Sequence, residues 1–269
     1  MNSRIFGVLS ALSLSVSAAT LCQADSTITM QDAAGRAQAV IEVKGNVARI
    51  STPGEPDYVL YDASRDVITH VNSERKEFTE IDRATLKRFA ETVSGLQQQL
   101  APQLAQMREQ LKSLPPEQRA MIERQMGNMA SFGAVETTPV EPIELVKGGS
   151  DKVAGMKCQI YEVVQGKERL SQVCLATAAD AGISEADFAT LKSMTGFMRD
   201  MASSAQKLSA GFGGPSQLIL AGAEGVPVSV KEYQDGREYA VADVSDKALD
   251  EARFNAHKSY RRQPIPTLE

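Results

Sequence analysis

The feature that most constrains the fold of this chain is a pair of cysteines inside one hairpin-like stretch, Gly155–Cys174, with the sequence GMKCQIYEVVQGKERLSQVC. Two runs of strand-forming residues flank Gln165–Lys167, a three-residue loop whose central glycine can adopt a positive φ. Counting outward from this loop places Cys158 directly opposite Cys174 on an antiparallel ladder. Because directly opposed residues have close Cβ atoms, the sequence predicts a disulfide between these two cysteines.

The first 24 residues have the three parts of a secretory signal peptide. Arg4 supplies the positive charge, Ile5–Val16 form an apolar core, and Cys22–Ala24 is a small-x-small cleavage site. We therefore expect residues 1–24 to be removed by cleavage before Asp25. The mature protein is then expected in the periplasm.

The cysteine count fits export with cleavage. The full chain has three cysteines, and loss of Cys22 leaves Cys158 and Cys174 to pair in an oxidising compartment. Two free buried thiols are the alternative. Acylation of Cys22 as a lipoprotein anchor is less favoured, because that processing requires a small residue before the cysteine and this chain has Leu21 there.

Composition limits the kinds of protein that the mature chain can be. Removing 24 of the 269 residues leaves 245, which is enough for one large domain, and the net charge of −5 becomes −6 when Arg4 is lost. Acidic and basic residues are mixed along the chain, which argues against nucleic acid as a partner. Charged residues interrupt every later apolar run before the roughly 18 residues that a membrane span requires, so we expect no transmembrane segment.

Short alternating runs separated by turn residues predict an antiparallel meander in the first third of the mature chain. The predicted strands are Thr27–Met30, Ala37–Val43, Ala48–Thr52, Tyr58–Asp62, Val67–Val71 and Glu77–Ile81. The period then changes, since apolar residues advance by threes and fours from Leu86 to Leu114. This predicts a helical insert at about residues 83–131, followed by a loop rich in Thr, Pro and Gly.

A second helix is predicted after the cysteine hairpin. Ser184 followed by Asp187 three residues later is a capping signature for a helix start. Beyond this helix, strands are predicted at Gln217–Leu220, Pro227–Gln234 and Arg237–Val244, and the last two are joined through Asp235-Gly236, a type I′ hairpin signal. Helices inserted between strands of one antiparallel sheet usually pack together on one face of it.

The predicted fold class is therefore α+β: a curved antiparallel sheet, an incomplete barrel, with helices covering its concave face. Residues 25–269 are expected to form a single domain. The apolar faces of the two helices supply candidates for lining a ligand site between helices and sheet. These candidates are Phe89, Val93, Leu96, Phe188, Leu191, Met194 and Met198.

The search for chemistry in the sequence favours a protein that is not an enzyme and has no cofactor. His70 and His257 are the two histidines, and neither has a paired acid, a nucleophile or a metal-ligand spacing nearby. Methionines at helical spacing are soft ligands that suit copper(I), but we favour their commoner role as adaptable apolar filler. No metal site is predicted.

Several segments carry a resemblance to known families. They are Asn46–Ile50, Tyr58–Asp62, Asp66–Phe78, Val153–Cys158 and Gly225–Val228. Together they resemble an exported bacterial family known as domain of unknown function 4412. The order of strands and helices is also similar to the lipoprotein-carrier (LolA/LolB-like) fold, in which helices close the concave side of an incomplete barrel and acyl chains are held between them. This chain departs from the short carriers in its long helical insert.

The function that we expect is binding of a lipid or another amphipathic ligand between the sheet and its helical cover, in the periplasm. The alternative is a module that binds another envelope protein or acts in a stress response, with a fully packed core and no ligand cavity. A cavity in the structure would favour the first hypothesis.

Overall fold

The computed structural model describes residues 25–88, 143–206 and 224–264, with a few isolated helical positions between 91 and 106. The predicted signal peptide, most of the predicted helical insert and the strand predicted at Gln217–Leu220 lie outside the described residues. Within the described part, the chain folds into one large sheet with a few helices.

Twelve strands form an open mixed sheet in the order β12-β6-β5-β4-β3-β2-β1-β11-β10-β9-β8-β7. All neighbours are antiparallel except β12 and β6, so the expectation of a wholly antiparallel sheet fails at this edge. An open, curved sheet otherwise agrees with the predicted fold class. The strands are β1 (Ser26–Asp32), β2 (Ala37–Lys44), β3 (Val47–Ser51), β4 (Asp57–Asp62), β5 (Val67–Asn72), β6 (Glu77–Asp82), β7 (Ile143–Val153), β8 (Met156–Gln165), β9 (Glu168–Ala176), β10 (Val226–Glu232), β11 (Glu238–Ser245) and β12 (Arg261–Arg262).

The meander β1–β6 confirms the sequence prediction to within about two residues at each strand end, because turn residues mark its corners. After β4, Asp62 accepts hydrogen bonds from the backbone N–H and the hydroxyl of Ser64, and Asp66 adopts a φ of 53°. Asp and Asn tolerate this left-handed region better than most residues do. Local side-chain chemistry therefore sets the hairpin ends.

The cysteine hairpin has a different register from the predicted one. Its loop is the two residues Gly166-Lys167, and the ladder shifts between Val163 and Val164. As a result Cys174 pairs with Ile160 rather than with Cys158. The two cysteines are therefore diagonal neighbours on the sheet and not directly opposed.

Two further sequence predictions are wrong. The sequence predicts a loop before the cysteine hairpin, but the structure has strand β7 there. Most side chains of β7 are exposed, and its sequence lacks the alternating apolar pattern that would predict a strand. The turn between β10 and β11 is not a two-residue type I′ turn, since the Glu232 N–H donates to the Arg237 carbonyl at 2.8 Å and closes a four-residue loop. Gly236 alone among the loop residues has a positive φ, 69°.

The helices are α1, described over residues 83–88, α2 (Ala178–Ala181), α3 (Glu185–Gln206) and α4 (Ala252–Asn255). The predicted start of α3 is confirmed, because the Ser184 hydroxyl accepts a hydrogen bond from the Asp187 N–H at 3.1 Å. A 3₁₀ turn, Ala256–Ser259, follows α4 and leads into β12.

Helix α3 and the C-terminal segment pack against opposite faces of the meander. On β4, Tyr61 contacts Phe197 of α3, whereas Tyr58 and Leu60 belong to an apolar cluster with Phe254 of α4. This division follows from the period of two along a strand, which sends neighbouring side chains to opposite faces. Both faces of the meander are thus covered over part of their area.

Candidate functional site

A cavity of about 630 Å³ lies between helix α3 and the sheet. Its sheet wall comes from β1, β2, β3, β10 and β11, and its helix wall from the middle turns of α3. Volumes of this size are typical of sites for small ligands. The main apolar lining residues are Ile28, Met30, Ala39, Ile41, Ile50, Phe188, Leu191, Met194, Val226, Pro227 and Val230.

Two small residues lie on the cavity wall. On the sheet, Ala39 contributes only a methyl group beside Met30, with which it pairs. On the helix, Gly196 is a wall residue, and a Cβ built there would meet no atom within 4 Å outside its own stretch of helix. Its neighbours one turn away, Lys192 and Asp200, are exposed, so a side chain at this position would extend toward solvent. Glycine costs about 1 kcal/mol relative to alanine in a helix interior, so its presence at this position opposes helix stability.

The next residue of the helix makes the opposite kind of contact. Phe197 is fully buried, and its ring centroid lies 5.8 Å from that of Tyr61. Ile68 completes the buried cluster, and Leu86 and Met198 pack around it. We call this cluster of Tyr61, Ile68 and Phe197 the packed contact.

A hydrogen-bond network fixes α3 at the packed contact. The Tyr61 hydroxyl lies 2.7 Å from the Ser193 hydroxyl and donates to Asp66 at 2.9 Å. Arg83, at the start of α1, donates to Asp66 and to Asp200 of α3. Burial raises the pKa of Tyr61, so this hydroxyl stays protonated at neutral pH.

The charged lining residues lie on the solvent side of the cavity. Lys192 and Glu224 form an ion pair at 2.9 Å, and both side chains are exposed. The Lys192 ammonium lowers the pKa of Glu224, so the pair is charged at neutral pH. Exposed pairs of this kind are worth little free energy, which leaves them free to exchange partners with a polar ligand group.

Gly225 brings the segment before β10 close to β9. Its φ is 130°, and a Cβ at this position would lie 3.0 Å from both the Ala176 carbonyl oxygen and the Leu175 Cβ. A side chain would therefore strain the backbone and push the segment away from β9. Glycine at this position keeps the neighbouring Glu224 beside the cavity.

The structure brings part of the predicted lining set together. Phe188, Leu191 and Met194 line the cavity. Met198 packs instead against the packed contact. The other three predicted residues, Phe89, Val93 and Leu96, lie outside the residues whose side chains the structure describes.

The disulfide lies in the apolar layer beside the cavity. The sulfurs of Cys158 and Cys174 are 2.08 Å apart, consistent with the predicted bond, and both residues are buried. They belong to the cluster that includes Ile28, against which Phe188 and Leu191 of α3 pack. The bond therefore supports the sheet on which the cavity wall is built.

The described residues contain no group of three or more His, Cys, Asp or Glu side chains that would hold a metal ion. His70 is 3.7 Å from Asp57 on the surface, and His257 packs edge-on against Phe78. Burial lowers the pKa of His257, which favours its neutral form. Neither histidine lines the cavity.

Among the helices that the structure describes, none is long and apolar enough to cross a bilayer.

Comparisons with known proteins add little information about this site. No family model matches the chain, and no curated protein matches it. The chain is similar to the crystal structure of an uncharacterized conserved protein from Thermus thermophilus, with 6% sequence identity and a TM-score of 0.40. That similarity covers 91% of this chain and 92% of the other.

Proposed function

We propose that this protein binds a hydrophobic or amphipathic ligand in the cavity between α3 and the sheet, without catalysing a reaction. The observation that supports the proposal is the cavity itself, whose walls are mainly aliphatic and aromatic side chains. Burial of apolar ligand surface against these walls would supply most of the affinity, at about 25 cal/mol per Å² removed from water.

The lining residues favour a ligand with one apolar and one polar end. Aliphatic side chains such as Ile28, Ile41 and Leu191 suit an alkyl or acyl chain, and methionines such as Met194 adapt to chains of varied shape. The Lys192–Glu224 pair offers both signs of charge to a headgroup on the solvent side. A lipid or lipid-like molecule has this combination of parts.

The setting that we propose is the periplasm. A cleaved signal peptide would deliver residues 25–269, and an oxidising compartment would maintain the Cys158–Cys174 bond. In this account α3 belongs to a helical cover over the concave face of the sheet, as in the lipoprotein-carrier fold that the sequence resembles. The resemblance to domain of unknown function 4412 fits an exported protein but names no ligand.

The alternative is an envelope interaction module with a fully packed core. It predicts no cavity of this size beneath α3, so the cavity favours ligand binding. One experiment distinguishes the two functions, because a module without a cavity has no place for an apolar probe.

The experiment fills the cavity from Ala39. A phenylalanine at this position on the sheet wall would occupy space that the alanine methyl group leaves open, whereas a serine keeps the side chain small. Delipidated wild type and the Ala39→Ser control should both bind a fluorescent fatty acid, and Ala39→Phe should lose at least tenfold in affinity. Thermal melting of all three proteins reports whether the fold is kept.

Two results would contradict the proposal. One is the absence of saturable probe binding by delipidated wild type. The other is equal affinity of wild type and a well-folded Ala39→Phe protein, which would place the probe elsewhere on the molecule.

A further inference from the structure

The start of helix α3 holds a buried carboxylate that has no positive partner among the described residues. Asp187 has 0% exposure, and its Oδ2 atom accepts a hydrogen bond from the Ser26 hydroxyl at 2.5 Å. Its Oδ1 atom is buried and accepts no hydrogen bond from the residues that the structure describes. A buried carboxylate that is only partly satisfied is costly, so this site calls for a further donor.

The nearby lysine is already engaged by another carboxylate. Asp25 is 6% exposed, and its Oδ2 atom accepts from the Lys44 ammonium at 2.8 Å and from the Leu249 N–H at 2.6 Å. Lys44 therefore balances Asp25, and the charge of Asp187 remains unbalanced. Burial is the main cause that raises the pKa of Asp187, and the Asp25 carboxylate adds to the shift.

The backbone nitrogen of Asp25 is placed to supply the missing charge. It belongs to the residue directly before Ser26, whose hydroxyl touches Asp187. Consecutive Cα atoms are about 3.8 Å apart, so this nitrogen lies within about 10 Å of the Asp187 carboxylate, and a freed terminus can turn about the bonds of Asp25 toward it. The sequence independently predicts that cleavage occurs directly before Asp25, which would turn this nitrogen into an ammonium group with three donors.

We propose that the α-ammonium group of Asp25, freed by removal of residues 1–24, forms a buried ion pair with Asp187 and so anchors helix α3 to strand β1. The carboxylates of Asp25 and Asp187 then each have a positive partner, Lys44 and the new ammonium, while the carboxylates of Asp250 and Glu251 also act on Lys44. Signal removal would thereby complete the fold of the helix that lines the cavity.

The inference rests on the predicted cleavage position and does not depend on what the cavity binds. The first test is the intact mass and N-terminal sequence of the protein recovered from the periplasm of an expressing bacterium. We expect Asp25 as the first residue. Any other mature N-terminus overturns the proposal.

The second test is a double-mutant cycle on purified protein with the disulfide formed. One chain begins at Asp25, the other carries a Gly-Ser extension that moves the ammonium away, and each is made with and without Asp187→Asn. The extension should lower the urea midpoint in the Asp187 background and leave it unchanged in the D187N background. A control substitution of an exposed carboxylate, Asp243→Asn, should keep the full effect of the extension.

Equal loss from the extension in the Asp187 and D187N backgrounds, or no loss in either, would overturn the pairing. A third measurement needs no variant at all. The α-amino pKa of the chain that begins at Asp25, from the pH dependence of its acylation rate, should lie above the ordinary range of about 7.7–8.0. The groups around this ammonium are the carboxylates of Asp25 and Asp187, the ammonium of Lys44 and, beside Lys44, the carboxylates of Asp250 and Glu251, and a pKa within or below the ordinary range would contradict the ion pair.

Discussion

Helix α3 meets the sheet in two ways, and the difference lies between two adjacent residues. At the packed contact, Phe197 fills the space above Tyr61 and leaves no room. One residue earlier, Gly196 belongs to the wall of the cavity, together with small and aliphatic residues of the sheet. The same helix thus holds the fold together at one place and leaves a cavity at the other.

The largest effect is expected at the packed contact. Replacing Phe197 with Ala removes a fully buried ring and leaves a void against Tyr61 and Ile68. Substitutions of this kind cost about 3–5 kcal/mol. Urea unfolding of the variant should show this loss in free energy of unfolding, and a loss below about 1 kcal/mol would show that the helix is held elsewhere.

The next effect concerns the sheet beneath the cavity. Replacing both Cys158 and Cys174 with Ala removes a cross-link between positions 16 residues apart. In the chain-entropy model such a loop is worth about 3 kcal/mol. The double variant should therefore lose about 3 kcal/mol of free energy of unfolding and unfold at a lower urea concentration than wild type. Thiol counting on denatured, unreduced protein from the periplasm checks the premise, and two free thiols would refute it.

A smaller effect is expected from the titration of Asp187, at the start of the same helix. Burial raises the pKa of its carboxyl group in the folded state above the ordinary value of 3.8. The folded chain therefore holds this proton more tightly than the unfolded chain, and the associated stability is lost as pH rises from about 4 through the raised pKa. This holds for a chain with an extended N-terminus, in which no ammonium faces the carboxylate.

The measurement is the difference in free energy of unfolding between the extended chain and its D187N variant, taken from pH 4 to pH 7. As pH rises, the free energy of unfolding of the Asp187 chain should fall relative to that of the D187N variant. Because the Asp25 carboxyl has a lowered pKa and acts in the opposite sense, the comparison has to be made within this matched pair. A difference that does not change with pH would show that Asp187 titrates normally.

The smallest effect is expected on the cavity side of the comparison. Gly196→Ala should raise the free energy of unfolding by about 0.5–1 kcal/mol, because it improves helix propensity and meets no neighbouring atom. Thermal melting measures this gain. A loss of stability would mean that the space beside Gly196 is filled and that the contrast with Phe197 is false.

Local chemistry in the sequence predicted the parts of the fold whose contacts are local. Strands β1–β6 and the Ser184 cap depend on residues close together in the chain, and both agree with the structure. Strand β7 was missed because its exposed side chains carry no alternating pattern. The cysteine register was wrong because the loop is one residue shorter than predicted and the ladder shifts again between Val163 and Val164, a bulge that the loop sequence does not mark.

The candidate site shows the same limit. Helical spacing marked Phe188, Leu191 and Met194, which the structure places on the cavity wall. The sheet wall was not foreseen, because it depends on the pairing of β1 with β11, two strands from opposite ends of the described chain. Gly196 was also missed, since a glycine inside a helical pattern carries no signal that it belongs to a cavity wall.

The central claim is that the cavity beneath α3 holds an apolar ligand, and the most direct test is to look for that ligand in protein taken from its native envelope. Wild type and Ala39→Phe would be purified side by side without delipidation, and organic extracts of equal amounts would be compared by mass spectrometry. We expect a lipid-like species in near-stoichiometric amount with wild type and a reduction of at least tenfold with Ala39→Phe. Equal amounts in both extracts, or no enriched species in the wild-type extract, would contradict the claim.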